Sequence, residues 1–271
     1  MILKIFFVIL IAISNTVFAA PSTWVYNETK NELLAADESN TRRSIASITK
    51  LMTALVAIDH NSDMTAQMKI GKGSRLPPGI TQRGDLFTAM LVRSDNQAAE
   101  FLAQDYPGGR KAFIVAMNNK AKNLGMDHAT FVDPSGLMSG NVATIGDVAT
   151  LVKAASQHPI ISNISILQQV EIDKKKYKVV LENTNRMLLA SFDEIKISKT
   201  GFTSSAGWCV AMVLEKYGQR IVVVVLGAKS KDQRYNIAKD LIKSHLADLE
   251  YKIEQEQNKK SLIQKLLEGV Y

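Results

Sequence analysis

Ser47-Ile48-Thr49-Lys50 places a hydroxyl and an amine three residues apart, at the start of a stretch with helical apolar spacing. Residues i and i+3 share a helix face, so the Lys50 side chain can reach the Ser47 hydroxyl. A serine hydroxyl is a weak nucleophile until a neighbouring base takes its proton. A lysine pushed towards neutrality by burial, nearby cations and the positive end of a helix can be that base without any histidine. Two further runs carry matching groups. Ser94-Asp95-Asn96, 47 residues on, falls in the turn between two helical segments. There Ser94 could relay protons between Lys50 and a leaving group, and Asn96 could offer its amide to a peptide. Lys199-Thr200-Gly201 ends a strand-like segment and runs into Phe202. Lys199 is a second cation favouring a deprotonated network, the Thr200 hydroxyl can hold a carboxylate, and Gly201 lets a substrate backbone come close. Each run alone has an ordinary structural explanation: a serine N-cap with a solvated lysine, a helix cap, a polar strand end. Taken together, in the order helix start, interhelical turn and strand, they point to one serine site driven by lysine.

The elements that must position these groups are legible from periodicity. Ser22–Tyr26 and Glu32–Ala36, separated by a polar turn, read as a hairpin. Helical spacing runs over Ser47–His60, Leu86–Val92, Asn96–Gln104, Lys111–Leu124 and Ile145–His158. The period then changes to that of strands: Ile166–Ile172, Tyr177–Leu181, Glu194–Ser198, Trp208–Glu215 and Arg220–Gly227. The last is valine-rich enough to be a central strand buried on both faces. A helix over Asp232–Leu249 and a charged tail close the chain. This is an α/β (α+β) layout: an antiparallel sheet built from both chain ends, flanked by helices, with a mainly helical insert and a cleft between sheet and insert.

Composition narrows the chemistry. The 271 residues are 46% hydrophobic with only 15 Gly and 6 Pro, which excludes a disordered or collagen-like polymer. One cysteine, Cys209, cannot make an internal disulfide or a multi-thiolate site, and His60, His128, His158 and His245 lack zinc-type spacing. No metal and no cofactor are expected. Cys209 reads as a buried apolar thiol, and Asp133, near His128 and Ser135, as part of a turn-rich rim rather than a second triad. Met1–Ala19 has a charged start, an apolar run over Ile5–Ile13 and a small-residue ending, the pattern of a cleaved signal peptide too short to span a bilayer. Its removal takes away Lys4 alone and leaves +6 of the formal +7 charge. The expected location is therefore exported and periplasmic. Export disfavours nucleic acid as a partner, and the lysine clusters at Lys174–Lys176 with Lys178 and at Lys259-Lys260 lack interleaved aromatics.

The three motifs resemble those of the penicilloyl serine transferases. The fuller match is to the low-molecular-mass penicillin-binding proteins of the serine-type D-alanyl-D-alanine carboxypeptidase and endopeptidase family. It spans about Thr23 to Leu249 and includes Ser94-Asp-Asn-Gln-Ala-Ala-Glu, Met117-Asn118, Leu124-Gly125-Met126, Phe131 and Pro134-Ser135-Gly136-Leu137. The resemblance implies a β-lactamase/transpeptidase-like fold with Ser47 as acylated nucleophile, Lys50 as general base, and Ser94 and Asn96 as relay and substrate ligand. It further implies Lys199 as electrostatic partner, Thr200 and Gly201 at the substrate, an oxyanion hole from the Ser47 and Phe202 N–H groups, and Arg234 for the substrate's terminal carboxylate. Peptidoglycan stem peptides are the implied substrates and β-lactam antibiotics the covalent inhibitors.

Alternatives stay open at this level. A class A β-lactamase needs a deacylating glutamate, and Glu182-Asn183 lies between strand candidates, the wrong setting. A D-Ala-D-Ala carboxypeptidase and a non-catalytic exported wall-binding protein are the other readings. The expected division is a leader over 1–19, a catalytic domain over 20–250 and a charged helical tail over 251–271. Without the extra β-rich domain of many carboxypeptidases, the chain looks more like the single-domain endopeptidases. Ile263, Leu266, Leu267 and Val270 form a stripe shorter than an interfacial helix, so the tail is expected to pack back on the domain rather than act as a stable membrane anchor.

Overall fold

The computed structural model describes residues 20–174, 177–189 and 194–268. The expected leader, Lys175, Lys176 and Val270 lie outside them. In chain order the elements are β1 (Ser22–Asn27), β2 (Glu32–Asp37), β3 (Arg43–Ser44), a 3-10 turn (Ala46–Ile48), α1 (Thr49–His60), β4 (Gln67–Ile70), β5 (Gly79–Gln82), α2 (Arg83–Val92), α3 (Asn96–Gln104) and α4 (Gly109–Asn123). There follow β6 (Val142–Ala143), α5 (Ile145–Ser156), α6 (Pro159–Ser165), β7 (Gln169–Lys174), β8 (Tyr177–Glu182), α7 (Arg186–Leu189), β9 (Ile195–Thr203), β10 (Gly207–Lys216), β11 (Gln219–Ala228) and α8 (Lys231–Glu268).

The main sheet has the order β2-β1-β11-β10-β9 and is antiparallel throughout, so strands from both chain ends do lie side by side. β11 sits at its centre, and its alternation shows why a run of valines is needed there. Val222, Val224 and Leu226 enter the larger core shared with α1 to α5, while Val223 and Val225 enter a second core against Tyr235, Ala238, Ile242 and Leu246 of α8. Side chains alternate across a strand, so only an unbroken apolar run can feed two cores. Each such burial is worth about 1.5–3 kcal/mol. α1 is buried from Thr49 to Ile58, the pattern of a helix enclosed by others rather than lying on a surface.

Several sequence expectations need correction. Ser47 does not open α1; it lies in the 3-10 turn before it. The strand expected over Ile166–Ile172 begins only at Gln169, because Pro159 at the first turn starts the short helix α6 and Ile166 caps its end. Lys199-Thr200-Gly201 does not end a strand: β9 continues to Thr203, with Thr200 opposite Val210, Gly201 opposite Cys209 and Phe202 opposite Trp208. The last helix does not stop near Leu249 but runs 38 residues, about 57 Å at 1.5 Å per residue. Beyond its packed turns Tyr251, Leu262 and Ile263 are exposed, so this part of the tail is not folded back on the domain. Among the described residues no helix is long and apolar enough to cross a membrane.

Candidate active site

The 3-10 turn carrying Ser47 is pressed between β9 and the loop that follows α4. A Cβ on Gly201 would stand 3.0 Å from the Ile45 carbonyl oxygen and 3.1 Å from the Ser47 nitrogen, so glycine is what lets β9 come this close. On the other side Gly136, at φ +81°, lies against the Ala46 carbonyl, where a Cβ would come within 1.9 Å of the oxygen. Between them Ala46 itself adopts φ +46°, a left-handed conformation costing a non-glycine residue about 1–2 kcal/mol. The turn is held there by its neighbours on both faces.

Lys50, in the first turn of α1, is fully buried. Its Nζ lies 2.9 Å from Ser47 Oγ and 2.7 Å from Asn96 Oδ1, and it also donates to the Ser135 carbonyl. Burial lowers Lys50 from its ordinary 10.5 to about 7, against the opposing pull of Asp133, Asp95 and Glu100. Burial, more than the helix end, is thus what makes it a candidate base. The hydrogen-bond inventory then fixes its orientation. A neutral amine has two N–H groups and one lone pair; the amide oxygen of Asn96 and the carbonyl of Ser135 can only accept. The lone pair is left facing Ser47 Oγ.

Lys199, on β9, is also buried, and its Nζ donates to Ser94 Oγ at 3.0 Å and to the Thr200 carbonyl at 3.0 Å. Burial carries it well below the usual lysine range, and the charges of Lys50 and Arg234 act in the same direction. Ser94 therefore takes its hydrogen bond from Lys199, not Lys50 as expected for a direct relay. It adopts φ +63°, a second left-handed non-glycine residue at the site. Asp95 between the two site residues is the N-cap of α3, accepting from the Gln97 and Ala98 N–H groups. One tripeptide thus both caps a helix and presents side chains to either lysine, so the two explanations offered for it were never exclusive. The Asn96 Nδ2 has no protein partner among the described residues.

Above the two lysines lies a cleft of about 530 Å³, lined by Ser47, Ser94, Thr200, Gly201, Phe202 and Arg234. Thr200 Oγ1 donates to Thr184 Oγ1 at 2.7 Å, and the half-exposed Phe202 ring stacks on Trp208 at 4.1 Å. Arg234 is not a surface helix residue: it is 2% exposed, donates from Nη1 to the Cys209 carbonyl at 3.1 Å, and lies 5.4 Å from the Trp208 ring. Its Nε is buried with no hydrogen-bond partner among the described residues. The structure brings all nine expected residues, Ser47, Lys50, Ser94, Asn96, Lys199, Thr200, Gly201, Phe202 and Arg234, to this cleft or directly beneath it. Glu182 also lines the cleft, at the end of β8, while Asn183 is buried and donates to the Ser165 and Leu167 carbonyls.

Sequence reasoning missed the loop that holds Lys50. Asp133, 2% exposed, accepts at Oδ1 from Ser135 N, Ser135 Oγ and Gly136 N, and at Oδ2 from Met138 N and Asn141 Nδ2. These bonds aim the Ser135 carbonyl at Lys50, and Thr53 Oγ1 fixes the adjoining Pro134 carbonyl at 2.6 Å. Burial works against the Asp133 charge, but the hydrogen bonds from Ser135, Met138 and Gly136 hold it below the usual carboxylate range. The motif Pro134-Ser135-Gly136 was visible; the work done by its backbone was not.

A family model described as D-alanyl-D-alanine carboxypeptidase matches residues 11–230. The D-alanyl-D-alanine endopeptidase of Escherichia coli is 35% identical over 231 residues, covering 80% of this chain and 74% of that protein. The endopeptidase of Pseudomonas aeruginosa is also 35% identical, covering 79% and 73%. Among solved structures, penicillin-binding protein D2 of Listeria monocytogenes in its cefotaxime-bound form is 31% identical at a TM-score of 0.72, covering 82% of this chain and 95% of that one. A Streptomyces DD-transpeptidase variant reaches a TM-score of 0.78 at 23% identity, covering 83% and 97%, and shares the fold. With its serine-lysine centre at the foot of this cleft and a family match over most of its length, the chain belongs to the D-alanyl-D-alanine carboxypeptidase family of serine DD-peptidases.

Proposed function

We propose that the protein is an exported, periplasmic D-alanyl-D-alanine endopeptidase that cuts cross-linked peptidoglycan stem peptides through an acyl-enzyme on Ser47. The observation that carries this reading is the aim of Lys50: with both N–H groups taken by Asn96 Oδ1 and the Ser135 carbonyl, its lone pair faces Ser47 Oγ at 2.9 Å. Lys50 takes the Ser47 proton as Oγ bonds to the D-alanyl carbonyl carbon. The Ser47 and Phe202 N–H groups receive the oxyanion, a placement favoured by the close approach of Gly201 to the Ser47 nitrogen. The C–N bond then breaks as the proton taken up by Lys50 passes to the departing amine, with the Ser94 hydroxyl, held by Lys199, as the group between them. Water then attacks the ester as Lys50 takes its proton, and that proton returns to Ser47 Oγ as the acyl group leaves as a carboxylic acid. Arg234 holds the carboxylate beside the scissile bond together with Thr200, whose hydroxyl turns to it from Thr184 Oγ1, and Asn96 Nδ2 meets the acyl-side peptide.

The preference for cross-links over terminal D-alanine rests on the relatives named endopeptidase, at 31–35% identity against 26–29% for those named carboxypeptidase. β-Lactams enter the same cleft and acylate the same serine. Their acyl group persists for minutes or longer, because Glu182, the acid among the described cleft-lining residues, ends β8 and does not have the setting of a class A deacylating glutamate. Two experiments test the reading. Ser47→Ala should abolish labelling by a fluorescent penicillin, and survival of the label removes Ser47 from its role. Digestion of purified wall fragments followed by mass spectrometry should show loss of cross-linked dimers; loss of terminal D-alanine from pentapeptides alone makes the protein a carboxypeptidase.

A further inference from the structure

One end of the cleft carries more positive charge than a single carboxylate can use. Arg186, Lys231 and Arg234 all line it, together with Arg93 near Ser94, against Glu182 as the one acid among the described lining residues. The three are brought together by the fold. Lys231 and Arg234 stand three residues apart in the first turn of α8 and so share a face. Arg186 opens α7, which is tied to α8 through Tyr235: its hydroxyl accepts from the Arg186 N–H at 3.1 Å and donates to the Thr184 carbonyl at 3.1 Å. Lys231 loses basicity through burial and then through the charges of Arg186 and Arg234, although Asp232 acts against this. Neither Arg186 nor Lys231 makes an ion pair among the described residues. The buried Arg234 beside them has an Nε with no hydrogen-bond partner among the described residues.

A guanidinium fork satisfies one carboxylate in bidentate fashion. Arg234 alone therefore suffices for the carboxylate next to the scissile bond, and two cations remain. Like charges gathered at one cleft end repel one another, and a ligand of matching charge number relieves that repulsion. We propose that Arg186 and Lys231 form a second carboxylate subsite beside Arg234, on the leaving-group side, which selects substrates whose departing portion carries two carboxylates over those that release a singly charged amino acid. This rests on the peptidase reading above, which places the departing carboxylate at Arg234, and it adds a chemical class to the leaving group.

The test uses two synthetic peptides identical up to the D-alanyl bond, one releasing D-glutamate and the other D-glutamine. These leaving groups are nearly isosteric and differ by one negative charge. The expected wild-type kcat/KM ratio favours D-glutamate by about tenfold, the equivalent of one well-placed charge contact, carried mainly in KM and falling as salt is raised. In Arg186→Gln/Lys231→Gln, shown to be folded by its thermal transition, the ratio should fall to within about twofold of unity, with each single variant intermediate. A wild-type ratio near one, or a ratio unchanged in the single and double variants, overturns the subsite. Labelling of the wild-type protein by a fluorescent penicillin separates the two levels. Labelling with no discrimination refutes the subsite alone, whereas no labelling and no cleavage of either peptide removes the peptidase reading and the subsite with it.

Discussion

The depressed basicity of Lys50 should set the pH dependence of acylation. Its fall from 10.5 to about 7 leaves half of the side chain neutral at pH 7. An unperturbed lysine is neutral there in about one molecule in 3,000, so burial raises the available base about 1,500-fold, at a cost of about 5 kcal/mol. Second-order rate constants for acylation by a fluorescent penicillin, measured from pH 5.5 to 9.5, should rise about tenfold per pH unit at the acid end and level off above about 7.5. Lys199 lies within charge range of Lys50, so the observed midpoint belongs to the pair. The same shift acts on stability. Between about 7 and 10.5 the unfolded chain holds a proton that folded Lys50 has given up, so this contribution is complete above 10.5 and is lost as pH falls towards 7. Between pH 7 and 9 it amounts to about 2–3 kcal/mol. Lys50→Met should remove that part of the slope in urea midpoints while abolishing acylation. A flat acylation profile, or one that rises only above pH 9, would refute Lys50 as the base.

Gly201→Ala forces a Cβ to within 3.0–3.1 Å of the Ile45 oxygen and the Ser47 nitrogen. It should slow penicillin acylation by about 10- to 100-fold while costing only about 1–2 kcal/mol of stability, measured by thermal melting beside the acylation rate. Asp133→Asn replaces an acceptor of five hydrogen bonds by an amide that must turn an N–H towards donors. The loss should be about 2–4 kcal/mol in urea unfolding, and the acid limb of the acylation profile should move to lower pH because the largest opposing charge near Lys50 is gone. Cys209 is fully buried and its thiol is pushed up to about 11, so it should resist iodoacetamide at pH 8 in the native protein and react once unfolded. Rapid native labelling would contradict its placement.

What the sequence made legible was local or unusually periodic. Ser47 and Lys50 meet within one helical turn, and the valine run of β11 can be satisfied only by two cores. Less visible was anything acting through backbone. The Ser135 carbonyl on Lys50 has no residue-type signature, and Asp133 works through N–H groups that every residue possesses. Polar side chains disguised the length of β9, since Lys199 and Thr200 are buried in mid-strand where a strand signal expects apolar residues. Arg186 and Lys231 resemble any solvated cations in sequence; only the Tyr235 tie between α7 and α8 brings them to the cleft. Ile166 followed an isoleucine-rich stretch whose short apolar run fits helix or strand, and Pro159 decided for helix.

The pairing of β1 with β11 joins Ser22 to Leu226, so the sheet's central partnership spans nearly the whole domain. Contacts of such sequence separation form slowly and late, because a long loop must close before they reward it. Lys199 must likewise find Ser94, 105 positions earlier, and Gly201 must settle against the Ser47 turn. A nascent or partly threaded chain lacking β9 to β11 therefore possesses the serine and its neighbouring lysine but neither the wall that buries them nor the second cation. On the proposed role of Ser47, chemical competence arrives with the last strands, and covalent labelling of Ser47 would then serve as a direct clock for completion of folding.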